Sequence, residues 1–155
     1  MNGWRVFATA QLPDGAVLAA PVIHKLYRLP SSSLLFDSAG PYLDARCTNT
    51  GHVPPEPDCE CGLYFWAGPL PINLLREGLH APVLAEVEAR GRILDDPIIK
   101  EREPFGVPQR AGELRLRHLW TPPNTCAPGL RRYGVPVTPW RLVGGRAYFD
   151  GLEAA

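Results

Sequence analysis

The chain has no apolar stretch long enough to span a bilayer, so the sequence predicts no transmembrane helix. It carries no net charge, so no global field draws it to nucleic acid or to an anionic membrane. Lysine is nearly missing, because only Lys25 and Lys100 among the 16 basic residues are lysine. Long helices are disfavoured too, since 18 prolines and 15 glycines interrupt the 155 residues.

The first residues lack the charged segment and apolar run of a secretory signal. We therefore expect a cytoplasmic protein, in which cysteines stay reduced. Reduced cysteines that cluster along a chain are more often metal ligands than disulfide partners. Cys126 stands apart from such a cluster, and we expect it to be a bystander.

Known catalytic signatures are also missing. The sequence contains neither a phosphate-binding GxxxxGK[ST] loop nor a dinucleotide-binding GxGxxG fingerprint. It has no GxSxG nucleophile elbow and no HExxH metalloprotease motif. The sequence therefore points to no recognised reaction.

One segment does carry chemistry, reading C-x4-H-x6-C-x-C-G from Cys47 through His52, Cys59 and Cys61. Three thiolates and one imidazole are the ligands that tetrahedral Zn²⁺ prefers. Because all four ligands are protein atoms, no position stays open for water, which predicts a structural zinc site. The two close cysteines must lie on a turn, because alternate residues of a strand lie about 6.6 Å apart and zinc-bound sulfurs only about 3.8 Å.

Three alternatives remain open for this segment. It could hold an iron–sulfur cluster, although the Rieske pattern uses two histidines. If His52 did not bind, three thiolates and a water could form a catalytic zinc site with Glu56 or Asp58 as the base. The cysteines could also be unrelated to any metal.

The pattern of apolar residues predicts an α+β fold: a β-rich single domain over residues 1–155, with two short helices and a zinc knuckle loop. The helices are expected over 71–79 and 127–133, and a mobile loop over 95–112. The alternation of apolar and polar residues is clearest in 83–94. Strands are predicted at 3–9, 15–23, 63–67, 83–94 and 114–119, with a hairpin of 140–143 and 146–149 around Gly144-Gly145.

Aromatic residues are numerous and some lie near arginines in the sequence. Such pairs could stack nucleic-acid bases or bind a partner, or the rings could simply form a small β core. The arginines in question are Arg115, Arg117, Arg131, Arg132 and Arg141.

The order of cysteine, then His52-x-x-Pro55, then Cys59-x-Cys61-Gly-Leu-Tyr resembles a family of small uncharacterised actinobacterial and actinophage proteins. Their mark is C…HxxP…CxCG[IL]Y, and shorter pieces at 3–5, 87–93 and 132–137 are similar as well. The chain departs from the family at Phe65 and Trp66, where alanine usually follows the tyrosine, and over 95–112. The resemblance implies a metal cluster in one domain and implies no reaction.

These observations favour a non-enzymatic, zinc-stabilised binding or accessory module that engages a protein or a nucleic acid and no membrane. A zinc-dependent hydrolase with an open metal position is the first alternative. A phage structural or assembly protein is the second.

Overall fold

The computed structural model describes residues 1–19, 35–47, 51–59, 61–68, 83–95, 108–123, 128–144 and 146–152. Within them the chain forms ten strands and one 3-10 helix, Pro128–Tyr133. The strands are β1 (Asn2–Leu12), β2 (Gly15–Ala19), β3 (Leu35–Phe36), β4 (Tyr42–Asp44), β5 (Leu63–Trp66), β6 (Val83–Asp95), β7 (Pro108–Thr121), β8 (Val137–Pro139), β9 (Arg141–Val143) and β10 (Arg146–Tyr148).

The predicted α+β class with two short helices is wrong, because the described residues form a β-rich fold without an α-helix. The helix predicted over 127–133 is a 3-10 helix of 6 residues, too short for the hydrogen-bond ladder of an α-helix. It ends at Gly134 as predicted, where the Gly134 N–H donates to the Arg131 carbonyl at 3.0 Å. The helix predicted over 71–79 lies outside the described residues. No helix in the described part of the chain is long and apolar enough to cross a membrane.

Strand pairing in the 8-stranded sheet closes on itself. β6 pairs with β7 along most of its length and with β1 on its other edge. β5 pairs with β7 and reaches β1 through a single bridge between Trp4 and Trp66. The circuit β1–β6–β7–β5 is therefore a small barrel, and β2 and β3 extend it beyond β1.

The strands β4 and β5 lie one after the other along the same edge of β7. Only Gly112 of β7 separates their pairing partners, and its carbonyl accepts a hydrogen bond from the Ala45 N–H at 2.8 Å. Residues 45–62, here called the metal loop, leave this edge after β4 and return to it at β5. The loop is thus an excursion within what would otherwise be one continuous strand.

The main core fills the inside of the barrel. A bulge at Arg117, where Glu86 pairs with His118 but Val87 with Leu116, shifts the alternation of β7 by one residue. Leu116 and Leu119 are therefore both buried in this core. Its buried members are Phe7, Leu18, Leu43, Leu63, Phe65, Val83, Ala85, Val87, Ala89, Ala111, Leu114, Leu116, Leu119, Leu130 and Tyr133.

A second apolar cluster contains residues of β1, β6 and β7 and of the segments that flank the last hairpin. In it Trp120 packs edge-on against Phe149, with ring centroids 6.4 Å apart. The predicted hairpin is confirmed, since Val143 pairs with Arg146 across a two-residue turn. The cluster consists of Val6, Leu84, Trp120 and Phe149, with Trp4, Trp140 and Leu152 packed against it.

Candidate metal centre

The metal loop brings the four predicted ligands together. The ligand atoms of Cys47, His52, Cys59 and Cys61 all lie within 4.8 Å of one another, so the group can hold a metal ion. The sulfurs of Cys47 and Cys59 are 3.6 Å apart. The His52 Nε2 lies 3.3 Å from the Cys61 sulfur. Each of the four residues is half-buried, as expected of ligands at the base of a surface loop.

A turn precedes Cys59, and the ligand atoms of Cys59 and Cys61 lie within 4.8 Å of each other, as binding to one ion requires. The Cys59 N–H donates to the Glu56 carbonyl at 3.1 Å, which folds the chain just before the first of the two cysteines. Gly62 follows with φ +125°, a conformation that side-chain-bearing residues rarely adopt. A Cβ there would also lie 3.0 Å from the Arg110 Cβ and 3.1 Å from the Pro55 Cβ. Glycine is therefore required where the metal loop rejoins β5.

The donor set fits a single tetrahedral ion. Sulfurs bound to one zinc ion lie about 3.8 Å apart, close to the separation of Cys47 and Cys59. That separation is far too long for a disulfide, and both residues are free cysteines. An iron–sulfur cluster divides its ligands between two or more irons, whereas these four atoms all lie within 4.8 Å of one another. Thiolate and imidazole donors are the ligands of tetrahedral sites for ions such as Zn²⁺.

Burial affects the thiol nearest to His52. Loss of solvent raises the pKa of the Cys61 thiol to about 11, although a backbone hydrogen bond at Glu56 opposes the shift. Cys61 is therefore a thiol at neutral pH when no cation is near. A zinc ion deprotonates a coordinating thiol outright, so binding at this residue releases a proton.

Of the two acidic residues considered as catalytic bases, one pairs with an arginine and the other is exposed to solvent. Glu56 Oε2 forms an ion pair with Arg92 Nη1 at 3.2 Å, which ties the metal loop to β6. Asp58 is exposed to solvent. His52 contributes a ligand atom to the cluster, so the arrangement lends no support to a site with three thiolates and a water.

Sequence reasoning missed Arg110, which holds the loop in place. Its side chain is only 3% exposed, and Nη1 donates to the carbonyls of Cys59, Cys61 (2.9 Å) and Glu56 (3.4 Å). Arg110 was missed because it falls in the segment 95–112, which was predicted to be a mobile loop, whereas β7 begins at Pro108. No local pattern distinguishes this arginine from the others, and only its place opposite Tyr64 of β5 could have identified it.

Four of the five arginines considered for a binding surface contact acidic side chains. Arg115 and Arg117 both contact Glu88, at 3.6 and 3.1 Å. Arg132 pairs with Asp14 and Arg141 with Asp150, at 2.8 and 2.6 Å. Several of the aromatic rings belong to the cores, with Phe65, Trp120, Tyr133 and Phe149 buried. Cys126 lies outside the described residues.

An open cleft of about 490 Å³ lies between the metal loop and the β6–β7 ribbon. Val53 at its rim is 82% exposed, and the lining includes two arginines and two carboxylates. Its lining residues are Asp44, Ala45, Val53, Pro54, Arg90, Gly91, Arg92, Gly112 and Glu113. Comparisons of the chain with protein-family models, with curated proteins and with solved structures gave no match.

Proposed function

We propose that the chain is a zinc-stabilised binding module without catalytic activity, whose partner is a protein. One observation carries the proposal: four protein ligand atoms lie within 4.8 Å of one another. Four such ligands complete a tetrahedral shell and leave no coordination position for a water or a substrate. The ion would then stabilise the metal loop and perform no chemistry of its own.

The charge distribution favours a protein over a nucleic acid as the partner. Arg132 and Arg141 each pair with one acid, Arg115 and Arg117 share Glu88 with Arg90, and the chain as a whole is neutral. A nucleic-acid surface needs unpaired cations that follow the phosphates. The cleft beside the metal loop instead combines charges of both signs with the exposed apolar side chain of Val53, so its lining has no excess of positive charge for a phosphate backbone.

The metal is tested first, by elemental analysis and cobalt substitution. We expect one zinc per chain and, with Co²⁺, the intense visible bands of a tetrahedral site together with thiolate-to-metal charge transfer. Cys61→Ser should lose the metal, whereas Cys126→Ser should keep it and serves as the matched control. Octahedral Co²⁺ spectra, or iron with labile sulfide in the native protein, would contradict the proposal.

The partner is tested with Val53→Glu against Val143→Glu, since both valines are exposed, at 82% and 52%, and only the first lines the cleft. A partner captured from the native host should be lost with Val53→Glu and retained with Val143→Glu. Tight binding to random single-stranded RNA or DNA at physiological salt would indicate that the partner is a nucleic acid and not a protein. A stable homo-oligomer that dissociates when Val53 is replaced by Glu would favour an assembly role instead.

A further inference from the structure

Arg110 is a buried cation without a carboxylate partner in the described part of the chain. Its side chain is 3% exposed, and its hydrogen bonds go to the three carbonyls of the metal loop. Its Nε has no hydrogen-bond partner. Carbonyl oxygens carry only partial charge, so they leave the full positive charge of the guanidinium uncompensated. A buried charge in that condition is costly, and a counter-charge nearby offsets the cost.

The metal centre supplies such a charge. A divalent ion bound to three thiolates and a neutral imidazole carries a net charge of −1, and Arg110 carries +1. The guanidinium lies beside the centre, because one nitrogen donates to the carbonyls of two of the ligands, Cys59 and Cys61. We propose that Arg110 is the counter-ion of the metal centre and strengthens the binding of a divalent ion there.

The inference rests on the proposed zinc site and names a positioning residue for it. A role in hydrogen bonding alone and a role in charge compensation predict different effects of substitutions at position 110. Arg110→Gln keeps amide donors for the loop carbonyls but removes the charge. Arg110→Lys keeps the charge but loses the planar set of donors. If charge dominates, Lys is the milder substitution, whereas a purely hydrogen-bonded clamp makes the two comparable.

The experiment measures zinc affinity by chelator competition, with the Co²⁺ spectrum as a second readout. We expect Arg110→Gln to weaken zinc binding about 10- to 100-fold, the range for outer-shell residues of metal sites. Arg110→Lys should weaken it less than about 5-fold. Arg117→Gln is the control, because Arg117 is 49% exposed and pairs with Glu88 of β6 rather than with the metal loop, and its loss should change affinity less than about 5-fold.

Equal affinity losses for the two Arg110 variants, or none in either, would overturn the counter-ion assignment. Failure of both variants to fold at saturating zinc would also overturn the assignment, because the positive charge of the lysine would then not be enough to maintain the fold. Folding of the Lys variant alone supports the assignment. If the unsubstituted protein binds no tetrahedral metal, the proposed function itself fails, which separates that result from a failure confined to Arg110.

Discussion

The hydroxyl of Tyr133 joins the 3-10 helix to two strands, because it accepts a hydrogen bond from the Leu18 N–H at 2.8 Å and donates to the Phe36 carbonyl. The ring is fully buried in the barrel core. Tyr133→Phe keeps the ring but leaves an N–H and a carbonyl without their partner. We expect the free energy of unfolding to fall by about 2–3 kcal/mol, as is usual for buried unsatisfied groups. Urea denaturation of the metal-loaded protein measures it, and an unchanged midpoint would show that water replaces the hydroxyl.

Gly129 is fixed by close approach to β2. A Cβ at this position would lie 2.3 Å from both the N and the O of Ala16, so backbone would have to move. We expect Gly129→Ala to destabilise the protein by about 2–3 kcal/mol, the cost of overpacking. Gly134→Asn is the control, because Gly134 has φ +66° and open space, and asparagine tolerates that conformation. A thermal melt in which both variants match the parent would contradict this packing.

Arg5 is a second buried cation, and its pKa is lowered to about 10, mainly by burial. It donates to the Tyr64 carbonyl at 2.6 Å and lies over the ring of Phe7, but its Nε has no hydrogen-bond partner. Burying a charge costs several kcal/mol of desolvation, and an apolar side chain of similar size avoids that cost. We therefore expect Arg5→Met to be at least as stable as the parent in urea. A loss of more than about 2 kcal/mol would show that the Tyr64 contact outweighs desolvation.

His118 makes stability depend on pH. It stacks on Trp120 with ring centroids 3.9 Å apart, and burial lowers its pKa below the ordinary 6.5, against an opposing effect of Glu86. The unfolded chain thus binds the proton more readily than the folded chain. The free energy of unfolding that neutral His118 contributes is fully present above pH 6.5. It is lost as the pH falls towards the pKa of His118 in the folded protein, which is lower.

The measurement compares the parent with His118→Phe, which keeps an aromatic ring beside Trp120 but cannot titrate. Both proteins carry the same metal site, so acid release of zinc affects them alike. The stability difference between parent and variant should shift against the parent between pH 6.5 and pH 5. A difference that stays constant over this range would contradict the lowered pKa.

Removal of the metal should act locally. We expect a strong chelator to reduce amide-exchange protection in the metal loop at least about tenfold, because no strand ladder holds residues 51–59. The β9–β10 hairpin, which forms a separate 2-stranded sheet, should keep its exchange rates. Uniform loss of protection across the chain would show instead that the ion supports the whole fold.

The grouping of the four candidate ligands could be predicted from the sequence because the residues are close together in the chain. Cys47, His52, Cys59 and Cys61 lie within one short segment, and their ligand atoms do lie close together. The strand over 83–94 and the final hairpin were also predicted, since alternation and a Gly-Gly turn are properties of neighbouring residues.

Features that depend on distant pairing could not be predicted. The bulge at Arg117 is visible only when β6 lies beside β7, and it decides which face Leu119 occupies. Pro108 suggested a loop, yet proline is tolerated as the first residue of a strand. The burial of Arg5 and Arg110 likewise results from the closure of the barrel, which brings Tyr64 and the metal loop over them.

The excursion between β4 and β5 separates the metal loop from the register of the barrel strands. Because both ends of the segment are anchored to one side of β7, the alignment of the barrel strands does not depend on how many residues lie between them. Lengthening, shortening or exchanging the excursion would leave the scaffold in register. The fold can therefore carry different loops at this place, and transplanting the whole segment into another antiparallel edge is a feasible route to a portable zinc module.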